Sequence, residues 1–256
     1  FSLCISSSKD ASDYLSILGA KNIKFFGNIK FCSTVEDKAK ETEQFKSITN
    51  KKTWCAVSTH KNEEDLCGKV HGIAKKSVGD ILTIIIPRHI HRIERIYSNL
   101  RDLGLKVQIK KEKEPISSSV DVVLVNYYGA VSKYFKYFKQ IFIGKSMLKK
   151  FENSGGQNPI DAAKMGCHIY HGPYVYNFKD IYQFLDESKL SEEIKNPESL
   201  ANKLIKNFQI DLKTDNEKIK KLDVYSKKIF DNIINEYNAF IKWKYLNLNS
   251  GTKIIL

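Results

Sequence analysis

The run Ile81-Leu-Thr-Ile-Ile-Ile86 decides the fold, because five of its six residues are aliphatic and no polar residue alternates with them. A strand with one wet face alternates apolar and polar side chains, whereas an unbroken apolar strand is covered on both faces. Upstream, Trp54-Cys-Ala-Val-Ser58 reads the same way. Downstream, so do Val107-Gln-Ile109, Asp121-Val-Val-Leu-Val125, Ile141-Phe-Ile143 and His168-Ile-Tyr170. The segments between these runs carry helical periodicity. Strands buried on both faces and separated by helices predict an α/β domain with a doubly wound parallel sheet. Right-handed crossovers then carry every loop after a strand to one edge, where such sheets bind ligands.

The flanks read differently. Residues 1–31 form a small separate piece, with a strand at Phe1-Ser-Leu-Cys-Ile5, a helix near Ala11 to Leu18 and a strand at Ile23-Lys-Phe-Phe26. The first residue is Phe1 rather than Met, so the expectation is a fragment that begins inside a domain. The stretch 32–52, rich in Thr, Glu and Lys, reads as a linker. After Ser188 the pattern is wholly helical, through Glu198 to Phe208 and Asn216 to about Lys242.

The 256 residues are 42% hydrophobic, enough for one sizeable core. Forty-two Lys and Arg against 29 Asp and Glu leave +13, which favours an anionic partner: nucleic acid, an acidic membrane surface or a phosphorylated substrate. Much of the excess is helical Lys (Lys218, Lys220, Lys221, Lys227, Lys228), where a solvated face is the plainer reading. Five cysteines, odd in number and without a C-x-x-C pair, read as buried thiols rather than a disulfide framework or zinc site. No apolar run approaches the ~20 residues that cross a bilayer.

Chemistry concentrates in Ser154-Gly-Gly-Gln-Asn-Pro-Ile-Asp161, which follows one predicted strand and opens a helix. Asn158 suits an N-cap and Pro159 the first helical position. The glycines would let backbone N–H groups approach a phosphate, and Asp161 would accept from ribose hydroxyls. A well-capped helix whose acidic residue complements the dipole accounts for the same residues, and both readings stand on this stretch alone.

The wider series is more specific. Trp54-Cys-Ala-Val-Ser-Thr-His60 with Glu63-Glu64, Ile86-Pro-Arg-His89, Gly129, Gly155-Gly-Gln-Asn-Pro159, His171-Gly-Pro173 and Asn177-Phe178 occur in this order, mostly just after predicted strands. The series resembles the 3-deoxy-D-manno-octulosonic acid (Kdo) transferases of lipopolysaccharide synthesis, from about Phe1 to Leu185. The resemblance implies a GT-B fold of two Rossmann-like domains. It also implies metal- and cofactor-free, inverting transfer of Kdo from CMP-Kdo to a lipid A precursor (lipid IVA), at the cytoplasmic face of the bacterial inner membrane. On that basis residues 1–31 are the tail of the acceptor domain, 32–52 the linker and 53–256 the CMP-Kdo domain. The membrane-associating segment and the general base belong to an earlier part of the family's chain.

By the same resemblance Gly27-Asn-Ile-Lys-Phe31 places at Lys30 the lysine that stabilises the transition state. CMP contacts fall on Pro87 and Arg88, on Tyr128, Gly129 and Ala130, and on Asn158, Pro159, Ile160 and Asp161. The chain departs from the family at Ala130, where glutamate is usual, at Asp161, also usually glutamate, and at Lys145, usually glycine. Partners implied are the CMP-Kdo donor, a lipid A precursor and an anionic membrane surface, with no nucleic acid.

Other candidate chemistry reads as structure. His89 and His91 lack a third metal ligand, Ser58, Thr59 and His60 are positioning groups rather than a triad, and Lys133-Tyr-Phe-Lys-Tyr-Phe-Lys139 packs an apolar face on the core. Two rivals remain at this level. Another GT-B transferase or a nucleotide-sugar epimerase would prefer UDP to CMP, and a non-catalytic basic binding module would bind neither.

Overall fold

The computed structural model describes residues 1–33, 45, 48, 50–210 and 216–249. Most of the expected 32–52 linker lies outside the described residues. The chain divides into two compact units, Phe1–Thr34 with Lys220–Leu256, and Val35–Ile219. The sequence pattern assigns the C-terminal helices to the second domain. The division instead gives the last helix, from Lys220, to the N-terminal unit.

In that unit β1 (Cys4–Ser6), α1 (Lys9–Ile17) and β2 (Ile23–Phe25) form a β-α-β turn with the strands paired in parallel. Ser8 caps α1, its hydroxyl accepting from the Ala11 N–H at 3.1 Å. The final helix α8 (Asn216–Asn249) buries Leu222, Ser226 and Ile229. Gly27 has φ +111°, and a Cβ there would lie 2.7 Å from the Ile229 side chain. Phe31 meets Tyr225 edge to face at 5.1 Å, which fixes the Gly27–Phe31 motif against α8.

The larger unit holds β3 (Lys52–Thr59), α2 (Glu63–Val78), β4 (Ile81–Pro87), α3 (Ile93–Asp102), β5 (Val107–Lys110) and β6 (Val122–Val125). It continues through α4 (Val131–Phe135), β7 (Gln140–Ile143), α5 (Ile160–Lys164), β8 (His168–His171), α6 (Lys179–Glu187), β9 (Ser191–Glu193) and α7 (Pro197–Ile210). Seven strands run in the order β5-β6-β4-β3-β7-β8-β9, every pairing parallel. Strand β4 is buried along its whole length, as its unbroken apolar run predicts. On one face Trp54, Ala56, Ile85, Leu124, Phe142 and Tyr170 pack against α2, α3 and α7. On the other, Tyr134, Phe135 and Phe138 are buried, so the aromatic-basic run does pack inward.

One strand contradicts the sequence reading. Ser191-Glu-Glu193 is β9, at the sheet's edge, where a wholly helical region was expected. A short, charged edge strand carries no apolar signal. Its Glu192 is held by His168 at 2.6 Å and by Lys203.

Candidate functional site

The chain leaves β3 for β4 on one side, and after β6 returns to build β7 on the other. The switch point of the sheet therefore lies between the C-terminal ends of β3 and β7. At this point the Glu63 carboxylate, fully buried at the start of α2, gathers four backbone N–H groups. One oxygen accepts from His60 at 2.9 Å and Lys145 at 2.7 Å, the other from Ser146 at 2.9 Å and Met147 at 3.1 Å. Burial pushes the Glu63 carboxyl above its usual value, while the four donors favour its ionised form. Glu64 beside it takes both Arg92 guanidinium nitrogens, at 3.1 and 2.9 Å, and the Thr59 hydroxyl at 3.1 Å.

Strain collects here too. Ser58 (φ +54°), Asn62 (φ +80°) and Lys145 (φ +58°) are three of the four described non-glycine residues with positive φ. Ser58 sits where the β3–β4 register shifts. Thr59, read from the sequence as a positioning group, is fully buried with its hydroxyl spent on Glu64. His60, like Ser58, is half-buried. Its Nδ1 lies 3.0 Å from the Ser58 carbonyl oxygen, an acceptor, so Nδ1 carries the proton. Burial, with the charges of His89, Lys145 and Arg92, lowers its pKa to about 4 against the pull of that carbonyl, leaving a neutral ring. Its ring meets those of His89 and Phe151 at 5.4 and 5.5 Å.

The expected nucleotide contacts sit on loops along the same edge. Arg88 follows β4, Tyr128 and Gly129 follow β6, and Asn158 closes the loop after β7. The order β6-β4-β3-β7 makes these loops consecutive, spanning roughly 14 Å at the usual strand spacing. The Arg88 N–H donates to the Thr59 carbonyl at 3.0 Å, while its exposed guanidinium has no partner among the described residues. Gly129 has φ +75° with open space where a Cβ would stand. Tyr128 and Asn158 are exposed, and Asp161 is half-buried. Pro87, Ala130, Pro159 and Ile160 are buried, so a ligand meets the side chains beside them rather than their own. Lys30 is exposed in the other unit, on the turn Ile29–Cys32, where Asn28 accepts its N–H at 3.0 Å.

The glycine-rich loop differs from its sequence reading. A Cβ on Gly155 would lie 2.1 Å from the Tyr174 carbonyl oxygen, and Gly156, at φ +89°, donates to the Lys145 carbonyl at 2.7 Å. These glycines let the loop approach protein backbone. The helix begins at Ile160, five residues long, and the Asn158 side chain accepts the Ile160 N–H at 3.1 Å. Asn158 thus caps the turn as expected of an Asx residue, one position further from the helix.

A doubly wound parallel sheet with a buried switch point and its polar loops gathered at one edge defines an α/β domain of the GT-B type. The C-terminal CMP-Kdo binding domain of WaaA from Acinetobacter baumannii has the same fold, at a TM-score of 0.61, 17% identity, 73% of this chain and 94% of that one. A putative UDP-N-acetylglucosamine 2-epimerase from Listeria monocytogenes is similar at a TM-score of 0.55 and 12% identity, over 93% of this chain and 60% of that one. The particular relatives by sequence are 3-deoxy-D-manno-octulosonic acid transferases. That of Rickettsia typhi is 26% identical over 247 residues, covering 94% of this chain. The chain spans about half the length of this relative, 52%. No protein-family model matches the chain.

Proposed function

We propose that this chain is the donor-binding part of a Kdo transferase, holding CMP-Kdo at the C-terminal edge of its sheet. The observation that carries the reading is the Arg88 guanidinium, without a partner among the described residues, between the open Gly129 loop and the Asn158 loop, in a chain whose sequence relatives are Kdo transferases. A guanidinium holds a phosphate or the cytosine edge through two parallel hydrogen bonds. The Gly129 backbone lets the base approach closely, and Asp161 accepts from the ribose.

The transfer proposed is from CMP-Kdo to a lipid A precursor, with inversion, at the cytoplasmic face of the inner membrane. An acceptor hydroxyl attacks the anomeric carbon and CMP departs. Arg88 then neutralises the leaving phosphate, and Lys30 is the lysine proposed to stabilise the transition state. The neutral His60 ring, held by Ser58, serves as a positioning group at the same edge.

The test is calorimetric titration of the chain with CMP, UMP and AMP. Binding of CMP at least tenfold tighter than of the other two supports the reading; equal affinity for all three, or preference for UMP, overturns it. A specific site also stabilises the fold by about 2.7 kcal/mol at a hundredfold excess over Kd.

A further inference from the structure

At the opposite ends of the same strands lies a polar cavity of about 200 Å³. Its lining includes Lys51, Lys52 and Thr53, where β3 begins, Lys139 and Gln140, where β7 begins, and Asn207 of α7. Strand β3 has eight residues, so this cavity is roughly 23 Å from the donor edge.

Its chemistry is that of a donor set. Gln140 is 5% exposed, and its orientation follows from a chain of hydrogen bonds. The Asn207 NH2 donates to the Tyr170 hydroxyl at 2.5 Å, and that hydroxyl donates to Gln140 Oε1 at 2.9 Å. The Gln140 NH2 is left without a partner among the described residues, at the wall of the cavity. Lys139 spends one proton on the Met165 carbonyl at 2.9 Å and keeps two. Lys51 is partly neutralised by Asp80 at 2.7 Å, whereas exposed Lys52 has no partner among the described residues. The Gln140 NH2 opens onto the cavity rather than being sealed in protein, and three ammonium groups repel one another unless an anion joins them.

We propose that this cavity binds a phosphate monoester group, the Gln140 NH2 and the ammonium groups of Lys52 and Lys139 donating to its oxygens. A dianion offsets the net charge of three lysines and one aspartate, and its several acceptor oxygens suit donors that line the cavity from two strands. The group arrives either free, as phosphate or a small phosphoester, or as the headgroup of a lipid.

The experiment titrates the whole chain with inorganic phosphate at constant ionic strength, followed by 31P line width. In parallel it measures flotation with phosphatidylcholine vesicles, with and without dioleoyl phosphatidic acid. Lys52→Gln removes one ammonium from an exposed position, and Gln140→Glu keeps the acceptor for Tyr170 while replacing the free NH2 with an oxygen. Saturable broadening is expected, weakened roughly tenfold or more in both variants, as for loss of a charge-assisted hydrogen bond. It should be unchanged in Lys113→Gln. Flotation that needs phosphatidic acid and is lost in both variants identifies the lipid source; phosphate binding without flotation identifies the free one. Absence of saturable binding, or affinity in Lys52→Gln equal to that of the unmodified chain, overturns the proposal. Should Gln140→Glu melt early, Lys52→Gln decides alone.

Discussion

The Glu63 carboxylate accepts the Ser146 backbone N–H at 2.9 Å across 83 residues of chain, tying the start of α2 to the loop after β7. Because the same carboxylate also holds His60, Lys145 and Met147, the two loops that bound the switch point share one anchor. Replacing it with alanine leaves four inward-facing N–H groups without their acceptor. The expected cost for Glu63→Ala is about 3–5 kcal/mol, since each buried donor left unsatisfied costs about 1–3 kcal/mol and some will find water. Urea denaturation should show a lowered midpoint with unchanged slope. A loss under about 1 kcal/mol would mean that water replaces the carboxylate without penalty.

Lys145 should be better as glycine. Its φ of +58° is left-handed, a conformation that costs a side-chain-bearing residue about 1–2 kcal/mol. Its N–H to Glu63 holds it there. Glycine removes the strain but loses more backbone freedom on folding, so the net gain expected for Lys145→Gly is about 0.5–1 kcal/mol. A melting temperature raised relative to Lys145→Ala as well as to the unmodified chain would check it, since alanine keeps the strain.

How much of this was legible beforehand follows from the kind of signal each feature leaves. The core strands announced themselves because burial on both faces demands unbroken apolar runs, as at Ile81–Ile86. Strand β9 left no such trace, since Ser191-Glu-Glu193 is charged and lies at an edge. The roles of Glu63 and Glu64 were invisible for another reason. An acidic pair opening a helix looks like dipole complement, and only the fold brings Lys145–Met147 to the one and Arg92 to the other. The glycines at 155 and 156 read as ligand approach because sequence shows the need for a missing Cβ but not what fills its place.

Acid should destabilise the fold in two separable steps. His71 is buried, its Nδ1 2.9 Å from the Thr83 hydroxyl and its Nε2 3.6 Å from Asp121, beyond hydrogen-bond reach. Burial lowers its pKa from 6.5 to about 4, outweighing the attraction of Asp121. The unfolded chain therefore takes up this proton first, so the stabilisation is complete above pH 6.5 and lost as pH falls towards 4. Two and a half pH units amount to roughly 3 kcal/mol. Glu192, held by His168 and Lys203 despite its burial, has its pKa lowered from 4.5 to about 2, and its contribution is lost only below pH 4.5. Guanidinium unfolding between pH 7.5 and 3 should show the first decline shrink in His71→Gln and the second shrink in Glu192→Gln. A first decline unaltered in His71→Gln would assign it to other groups.

Arg88 and Arg92 stand four residues apart and should separate binding from stability. The Arg92 guanidinium is committed to Glu64 through two hydrogen bonds, and Glu64 is buried with only 2% of its side chain exposed. Removing it leaves a buried carboxylate with the Thr59 hydroxyl as its remaining side-chain donor, so Arg92→Ala is expected to cost about 3 kcal/mol or more of stability. Arg88 spends its backbone N–H on Thr59 and leaves its guanidinium unused among the described residues. Arg88→Ala keeps that backbone bond, so its stability should change by less than about 0.5 kcal/mol, as for surface substitutions elsewhere. In the proposed site, however, Arg88 makes a charge-assisted contact to CMP, and its loss should weaken binding by about 1.5–3 kcal/mol, roughly 10- to 150-fold. His91→Ala, on the neighbouring exposed turn, should weaken CMP binding less. Calorimetry for CMP and thermal melts on the three variants would decide. The expected pattern is low affinity with a normal melt for Arg88→Ala and an early melt for Arg92→Ala. Normal CMP affinity in Arg88→Ala would remove this arginine from the site and leave its open guanidinium without a role in donor binding.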